Sequence, residues 1–508
     1  MANVRERAQG PVEVFTVRTR RSLVARAASS RIEYDSLGSV AVPAHAFYGA
    51  QTVRAVENYP ISGLRAHPLL IRAYGLLKLA CAEVNSALDM IPRPVSRAII
   101  RAARDVAHGL LQDQFVVDVY QGGAGVSFHM NVNEVIANRA IWYLSGQRTD
   151  KLGDYSIVHP NDHVNFGQST NDTFPTALRL ASLLLLEELY PSLTELETAF
   201  TKKGREFDTI VKAGRTHLQD AVPIRLGQEF AAYGVALRQA RHQIQAGAKL
   251  LEGLGIGGSA VGTGLNAHPR FPRLVVRRLV VHTGLDLKVA DDLRAAMQSQ
   301  LPAAAVSGSL RNLALELIRI ANDLRLLASG PLTGLNEIAL PALQPGSSIM
   351  PGKVNPVMPE LLDMVAFQVV GCDTVAALAV QAGQLELNVM MPAIAWNLLH
   401  AIEILKNTCK AVARRCVLGI RANREVCERY AYCSPAIATA LTPQLGYKAT
   451  TEIVQKAMAS GRTIRDVCLE ENVLGRKALS RLLDPRRMTE PRLPRHPDTI
   501  RSRKNRGS

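Results

Sequence analysis

Thr173-Phe-Pro-Thr-Ala-Leu-Arg-Leu-Ala-Ser-Leu-Leu-Leu-Leu-Glu-Glu-Leu-Tyr190 begins a segment, reaching to residue 208, in which apolar side chains return every three to four positions. That period belongs to an α-helix with one apolar face. The pattern recurs, rich in Leu and Ala, over 227–252, 303–328, 357–385 and 394–420. Each stretch predicts a helix of about 20 residues or more, roughly 30 Å long or longer. Rods this apolar need partners, so they predict an all-α protein organised round a central long-helix bundle with an extensive subunit interface.

Outward from the rods the texture changes. Gly- and Pro-bearing loops separate them at 213–226, 253–273 and 330–356. Residues 31–166 read as short helices mixed with turns, among them Val42-Pro43, Pro92–Pro94 and Gly122–Gly125. Shorter helical pieces follow Ala422, and the Pro- and Arg-rich sequence from Pro485 reads as disordered. The expected division is a basic extension over 1–30, an N-terminal domain over 31–168, the bundle over 169–422, a small helical domain over 423–490 and a basic tail over 491–508.

Composition narrows the class. With 508 residues, 47% hydrophobic and 20% charged, the chain has the length and apolar content for a large core and is not a disordered protein. Aromatics at 5% argue against a β-sandwich or propeller. The net charge is +16, of which residues 1–30 hold +4 and residues 481–508 hold +6. The body therefore carries a modest excess, without the basic stripe interleaved with aromatics that a nucleic-acid surface shows. Solvated tails on an enzyme are the favoured reading. Seven cysteines form no CxxC pair and no zinc spacing, which suits reduced thiols in a cytoplasm. Apolar runs such as Leu183–Leu186 are too short to span a bilayer. Residues 1–30 contain Arg and Ser, as a mitochondrial transit peptide does, but Glu6 and Glu13 fit an irregular extension equally well. No signal peptide is read.

One motif is set aside. Gly253-Leu-Gly255-Ile-Gly257-Gly258 satisfies GxGxxG but follows a helix, with no βαβ unit round it, and reads as a helix-to-loop connection. The stretch Gly346-Ser-Ser-Ile-Met-Pro-Gly-Lys-Val-Asn-Pro356 is more informative. Glycines there let backbone amides approach a ligand, Lys353 supplies positive charge, and Asn355 both donates and accepts, a set suited to a carboxylate.

That loop resembles the signature loop of the aspartase/fumarase superfamily, and the likeness runs from about Ile32 to Pro491. Four further segments appear in the family's order: Gln121-Gly-Gly-Ala-Gly-Val-Ser127, His159-Pro-Asn-Asp-His-Val-Asn165, Gln168-Ser-Thr-Asn171 and Gly214-Arg-Thr-His-Leu-Gln-Asp220. The resemblance implies a three-domain fold, a homotetramer whose central bundle forms its core, and active sites shared between subunits. It implies anti elimination across a Cα–Cβ bond that yields fumarate through an aci-carboxylate. Ser347 is then the general base, with Ser348 beside it. Lys353, Asn355, Thr216 and His217 bind carboxylate, and Glu360 orients His217. Ser127, Ser169, Thr170 and Asn171 complete the substrate set, and Ser169, Thr170 and Asn171 also fit a helix N-cap. His159, Asn161 and Asp162 match a peripheral anion site. No cofactor and no resident metal are implied, although activation by a divalent metal is compatible.

Within the superfamily, Asp118-Val-Tyr-Gln-Gly-Gly-Ala-Gly125, Gly334-Leu-Asn-Glu-Ile338, Asn355-Pro-Val-Met-Pro-Glu360 and Ala382-Gly-Gln-Leu-Glu-Leu-Asn-Val-Met390 resemble the aspartase forms. The implied reaction is release of ammonia from L-aspartate to give fumarate; the alternative is the class II fumarase reaction on L-malate. Two departures stand out: Val126 replaces the family's threonine and His129 its asparagine. They predict weakened or altered recognition, or at the extreme a silent homologue acting as a binding or assembly protein. Met391 stands where aspartases carry an acidic residue.

Overall fold

The computed structural model describes residues 29–491. The expectations for almost all of the 1–30 extension and for the tail beyond 491 lie outside the described residues.

A hairpin of β1 (Ser30–Asp35) and β2 (Gly38–Pro43) opens the described chain, with Ile32 opposite Ala41. Four helices follow: α1 (Ala50–Asn58), α2 (Pro68–Ala87), α3 (Arg93–Ala107) and α4 (Val126–Leu144). The longest helix, α5 (Thr170–Glu206), leads through a second hairpin, β3 (Val211–Thr216) and β4 (Gln219–Arg225), into α6 (Leu226–Ala248). Next come β5 (Gly253–Leu254), α7 (Phe271–Thr283), β6 (Lys288–Val289), α8 (Leu293–Gln298) and α9 (Leu301–Leu327). Then β7 (Ile338–Ala339) precedes α10 (Val357–Gln381) and α11 (Met391–Arg415), and β8 (Arg421–Ala422) pairs back antiparallel to β7. The C-terminal helices are α12 (Arg424–Cys433), α13 (Thr442–Leu445), α14 (Tyr447–Ser460), α15 (Ile464–Glu470) and α16 (Arg476–Leu482).

Helices α5, α6, α9, α10 and α11 form an up-and-down bundle, as their apolar periodicity predicts. At 37 residues α5 is about 55 Å long, which sets the distance between the two ends of the bundle. One end gathers the start of α5, the end of α6 and the starts of α9 and α11. Asp172 in the first turn of α5 accepts from the amides of Gly257 and Ser259, both at 3.0 Å, just beyond α6. The other end gathers the β3–β4 hairpin, the end of α9 and the start of α10. A continuous apolar core runs from Leu70 to Cys427, and a second, smaller one joins Ile437, Leu441, Ile453, Val467 and Leu479.

Four readings of the sequence are corrected. Of residues 213–226, read as a loop, all but Leu226, which starts α6, lie in the β3–β4 hairpin, with a register shift at Ala213/Gly214. Between 31 and 166, α2 and α4 are full-length helices of 20 and 19 residues, and α2 is buried on most of its faces. The disorder expected from Pro485 is absent over Pro485–Thr489, a turn of 3-10 helix. Arg225 pins it, donating to Thr489 Oγ1 at 3.0 Å and pairing with Glu490. Apolar length is also greater than the short runs suggest: among the described residues one helix, α10, has the length and mean hydropathy, 1.6 over its most apolar window, to cross a membrane. It packs instead between α9 and α11, and its Asp363 pairs with Arg325 of α9 at 3.1 Å. The rest of its surface exposes Met364, Phe367 and Leu378.

Candidate active site

At the α5 start, Ser169 is the N-cap. Its hydroxyl accepts from the amide of Asn171 at 3.3 Å, and Asp172 reaches back to the Ser169 amide at 2.9 Å. A Ser-x-x-Asp reciprocal cap of this kind fixes the helix start, whose dipole favours an anion, although the side chains of Thr170, Asp172 and Thr173 are themselves buried. Thr170 is the first helical residue, and Asn171 donates to the Ala260 carbonyl at 2.7 Å.

The start of α4 lies alongside. Gly125, at φ +90°, is its N-cap, and a side chain there would strike the ring of Phe174. Val126 and Ser127 form the first turn, and Val126 is 43% exposed, offering methyl groups where a hydroxyl would stand in a threonine. Gln121 braces the turn, accepting from the Phe128 amide at 2.8 Å and donating to the Asp118 carbonyl at 2.8 Å. Behind this surface His129 and Lys78 are buried, and His129 Nδ1 lies 2.7 Å from Thr170 Oγ1. The sequence reading passed over Lys78, although a lone lysine inside the apolar run Leu76–Leu79 is a legible signal of a buried charge.

The other end of the bundle carries the remaining residues. Thr216 pairs with Gln219, so His217 and Leu218 are the two central residues of a tight hairpin turn, at φ +56° and +58°. Left-handed conformations at two non-glycine residues lift His217 out into solvent on the tip. The hairpin is anchored from within. Glu337, fully buried, binds Lys212 at 2.9 Å and Arg215 at 3.0 Å, and Lys212 also binds Glu229 at 2.9 Å. Nothing local in Gly334-Leu-Asn-Glu-Ile338 marks Glu337 as an anchor, because its partners lie more than 120 residues earlier.

The 346–356 loop stands at this same end, ahead of α10. Ser347 Oγ accepts from two backbone amides, Ile349 at 3.2 Å and Met350 at 3.1 Å. The loop is closed by the Ser347 amide donating to the Lys353 carbonyl at 2.9 Å. Gly346, at φ +107°, makes the approach possible, since a side chain there would collide with that carbonyl. Ser348, Ile349, Met350 and Lys353 are exposed, Asn355 is half-buried, and Glu360 lies in the first turn of α10. Among the described residues, no hydrogen bond or ion pair joins Glu360 to His217.

His159, Asn161 and Asp162 form a separate feature. His159 Nδ1 accepts from the amides of Asn161 at 3.2 Å and Asp162 at 3.1 Å, and it lies 3.4 Å from the Asp162 carboxylate. Among the described residues no group of three or more His, Cys, Asp and Glu side chains is gathered for a metal ion.

The candidate residues thus fall into two sets at opposite ends of one helix about 55 Å long. Ser127, Ser169, Thr170 and Asn171 occupy one end, and Thr216, His217, Ser347, Lys353, Asn355 and Glu360 the other.

Residues 38–371 match the family described as Lyase, and residues 437–490 match the one described as Fumarase C C-terminus. The chain is 46% identical over 461 residues to the aspartate ammonia-lyase of Bacillus subtilis, spanning 91% of this chain and 96% of that protein. It is 44% identical to the aspartate ammonia-lyase of Escherichia coli K12, over 91% of this chain and 96% of that one. Among solved structures, a fumarate lyase:delta crystallin from Brucella melitensis bound to cobalt superposes with a TM-score of 0.88 at 46% identity, covering 91% of this chain and 100% of its own. The class II fumarase of Schistosoma mansoni does so with a TM-score of 0.88 at 37% identity, covering 92% and 100%. Matched by family along both its long and its C-terminal segment and by whole relatives over nine-tenths of its length, the chain belongs to the aspartase/fumarase superfamily of lyases, close to aspartase.

Proposed function

We propose that the protein is an aspartate ammonia-lyase, a carbon–nitrogen lyase that eliminates ammonia from L-aspartate to give fumarate. The observation that carries the mechanism is the pair of backbone amides on Ser347 Oγ. An oxygen held by fixed donors is stabilised as an alkoxide, which is what a serine needs to remove a proton from carbon. In the proposed step Ser347 takes the Cβ proton, and the C–H electrons pass into the adjoining carboxylate as an aci-carboxylate. Their return forms the Cα–Cβ double bond as the C–N bond breaks and ammonia leaves. The choice of aspartate over malate follows from aspartate ammonia-lyase relatives at 42–46% identity.

Lys353, Asn355, Thr216 and His217 hold one carboxylate in this reading, with Glu360, which among the described residues makes no bond to His217 within one chain, orienting it across a subunit boundary. Ser127, Ser169, Thr170 and Asn171 hold the other carboxylate and the leaving nitrogen, and Ser348, on the Ser347 loop, joins them where the two sets meet. Because one chain keeps these sets apart, the working site forms between subunits, and a homotetramer supplies it. The exposed apolar face of α10 supports such an assembly. Segments 31–168, 169–422 and 423–490 act as its three domains, and His159, Asn161 and Asp162 as a peripheral anion site. The seven free thiols, six of them buried, suit a cytoplasmic setting. No organic cofactor enters the step, and divalent-metal activation is tested by assay with and without chelator.

The deciding experiment follows fumarate by its ultraviolet absorbance, in parallel with L-aspartate, with L-malate, and with fumarate plus ammonia. Turnover of aspartate is expected; turnover of malate alone would make the protein a fumarase, and neither would leave a silent homologue. The exposed valine at position 126 is the feature that favours a weakened enzyme over a full one.

A further inference from the structure

We infer that Lys78 and His129 are positioning residues that fix the Thr170 hydroxyl as a hydrogen-bond donor for the bound dicarboxylate. The inference deepens the aspartate-lyase reading and rests on it for the identity of the ligand.

Polarity passes outward through a buried chain. Lys78 Nζ lies 2.8 Å from His129 Nε2, 3.0 Å from Asn165 Oδ1 and 2.9 Å from Gln168 Oε1. The amide nitrogens of Asn165 and Gln168 are committed elsewhere, Asn165 to the Gln168 carbonyl at 3.2 Å and Gln168 to the Val164 and Phe166 carbonyls at 3.2 Å. Their oxygens therefore face the lysine. Burial lowers the pKa of Lys78 to about 7, but three acceptors round Nζ match the three N–H donors of the ammonium form, so the geometry assigns Nζ as the donor. Asn133 Nδ2 adds a second donor to His129 Nε2, at 3.3 Å. Thr173 Oγ1, 3.5 Å from the same nitrogen, donates its proton to the Ser169 carbonyl at 2.8 Å. The other titratable groups near the lysine are Cys81 on its own helix and Asp172 on α5.

Nε2 is thus an acceptor. Burial, reinforced by the charge of Lys78, holds His129 well below its ordinary pKa, so the ring is neutral. A neutral imidazole that accepts at Nε2 carries its proton at Nδ1, and Nδ1 is 2.7 Å from Thr170 Oγ1. The Thr170 oxygen therefore receives that bond, and its own proton finds no acceptor among the described residues. Tyr74 stacks on the imidazole, with centroids 5.8 Å apart and planes at 25°, which holds the ring in this orientation. A donor of fixed polarity at the start of α5 acts most strongly when a carboxylate gains its second negative charge, so it serves the transition state more than ground-state binding. In this light the histidine that departs from the family's asparagine replaces its function.

The test is a double-mutant cycle read in kcat and KM for L-aspartate, with thermal melting and assembled mass as controls. His129→Phe keeps a ring against Tyr74 but removes both nitrogens, and about a 30-fold fall in kcat with a smaller change in KM is expected. His129→Asn, able to accept from Lys78 and donate to Thr170, should recover most of that loss. Thr170→Val should show a loss that His129→Phe does not deepen. Multiplying losses in the double variant, or His129→Asn no better than His129→Phe at equal melting temperature, would overturn the inference. Should His129→Phe fail to assemble, Lys78→Met, combined with Thr170→Val, is read in the same way. If the wild-type protein turns over neither aspartate nor malate, the functional reading fails by itself. The same cycle is then read in the calorimetric affinity for succinate, where non-additivity supports the inference and additivity sinks it.

Discussion

A serine hydroxyl resists ionisation near neutral pH, and only donors fixed round its oxygen make the alkoxide accessible. At Ser347 those donors are the amides of Ile349 and Met350. Ser347→Ala should lower kcat by about 10²–10⁴-fold while succinate still binds, measured by fumarate release and calorimetry on the assembled protein. Ammonia release at the wild-type rate would remove Ser347 as the base. Val126 makes the opposite prediction. Restoring one charge-assisted hydrogen bond with Val126→Thr should raise kcat/KM about 10- to 100-fold, and an unchanged value would show that the missing hydroxyl costs nothing. The loop that carries Ser347 stands out in the sequence because its eleven residues form one continuous motif. Lys78 and Glu337 do not, because what gives them meaning is a partner brought up by the fold.

Elements differ in legibility for a physical reason. The rods of the bundle announce themselves because burial along one face forces an apolar period, and their observed bounds fall within a few residues of the predicted ones. The β3–β4 hairpin carries polar residues, largely exposed toward its tip, and is held by the buried Lys212–Glu337–Arg215 bridge, a constraint no local pattern records. Glu337→Ala would strand Lys212 with Glu229 alone, at a cost of about 3 kcal/mol in denaturant unfolding, and would lower activity by loosening the His217 tip. The turn at Ser62 and Gly63 is tied in the same manner to Asp118. Burial would push that carboxyl up, but the amides of Tyr120, Ser62 and Gly63 outweigh it and hold it below its ordinary value of 3.8. As pH falls, the unfolded chain takes up this proton first, so the stabilisation is present above 3.8 and is lost as the folded group titrates. Asp118→Asn should therefore cost about 1–3 kcal/mol at pH 7, with the gap to wild type closing in acid, as urea unfolding across pH would report.

At the scale of the whole molecule, the two residue sets stand a full α5 apart, and in the proposed reading each site draws on more than one chain. Mixing Ser347→Ala subunits with Thr170→Val subunits, each nearly inactive by itself, should regenerate activity when the two are unfolded and reassembled together. Failure of hybrids to exceed either parent would place both defects in the same half of the site. The apolar rods lead one to expect a partner; which residues would face it is not legible in the sequence, since that depends on where each rod ends. Seen this way, α5 works as a ruler. Each residue inserted into it would turn everything beyond by about 100° and advance it about 1.5 Å. The length of this helix should consequently tolerate no insertion or deletion, even where its individual side chains are freely exchangeable, whereas loops far from either tip can grow or shrink without disturbing the chemistry.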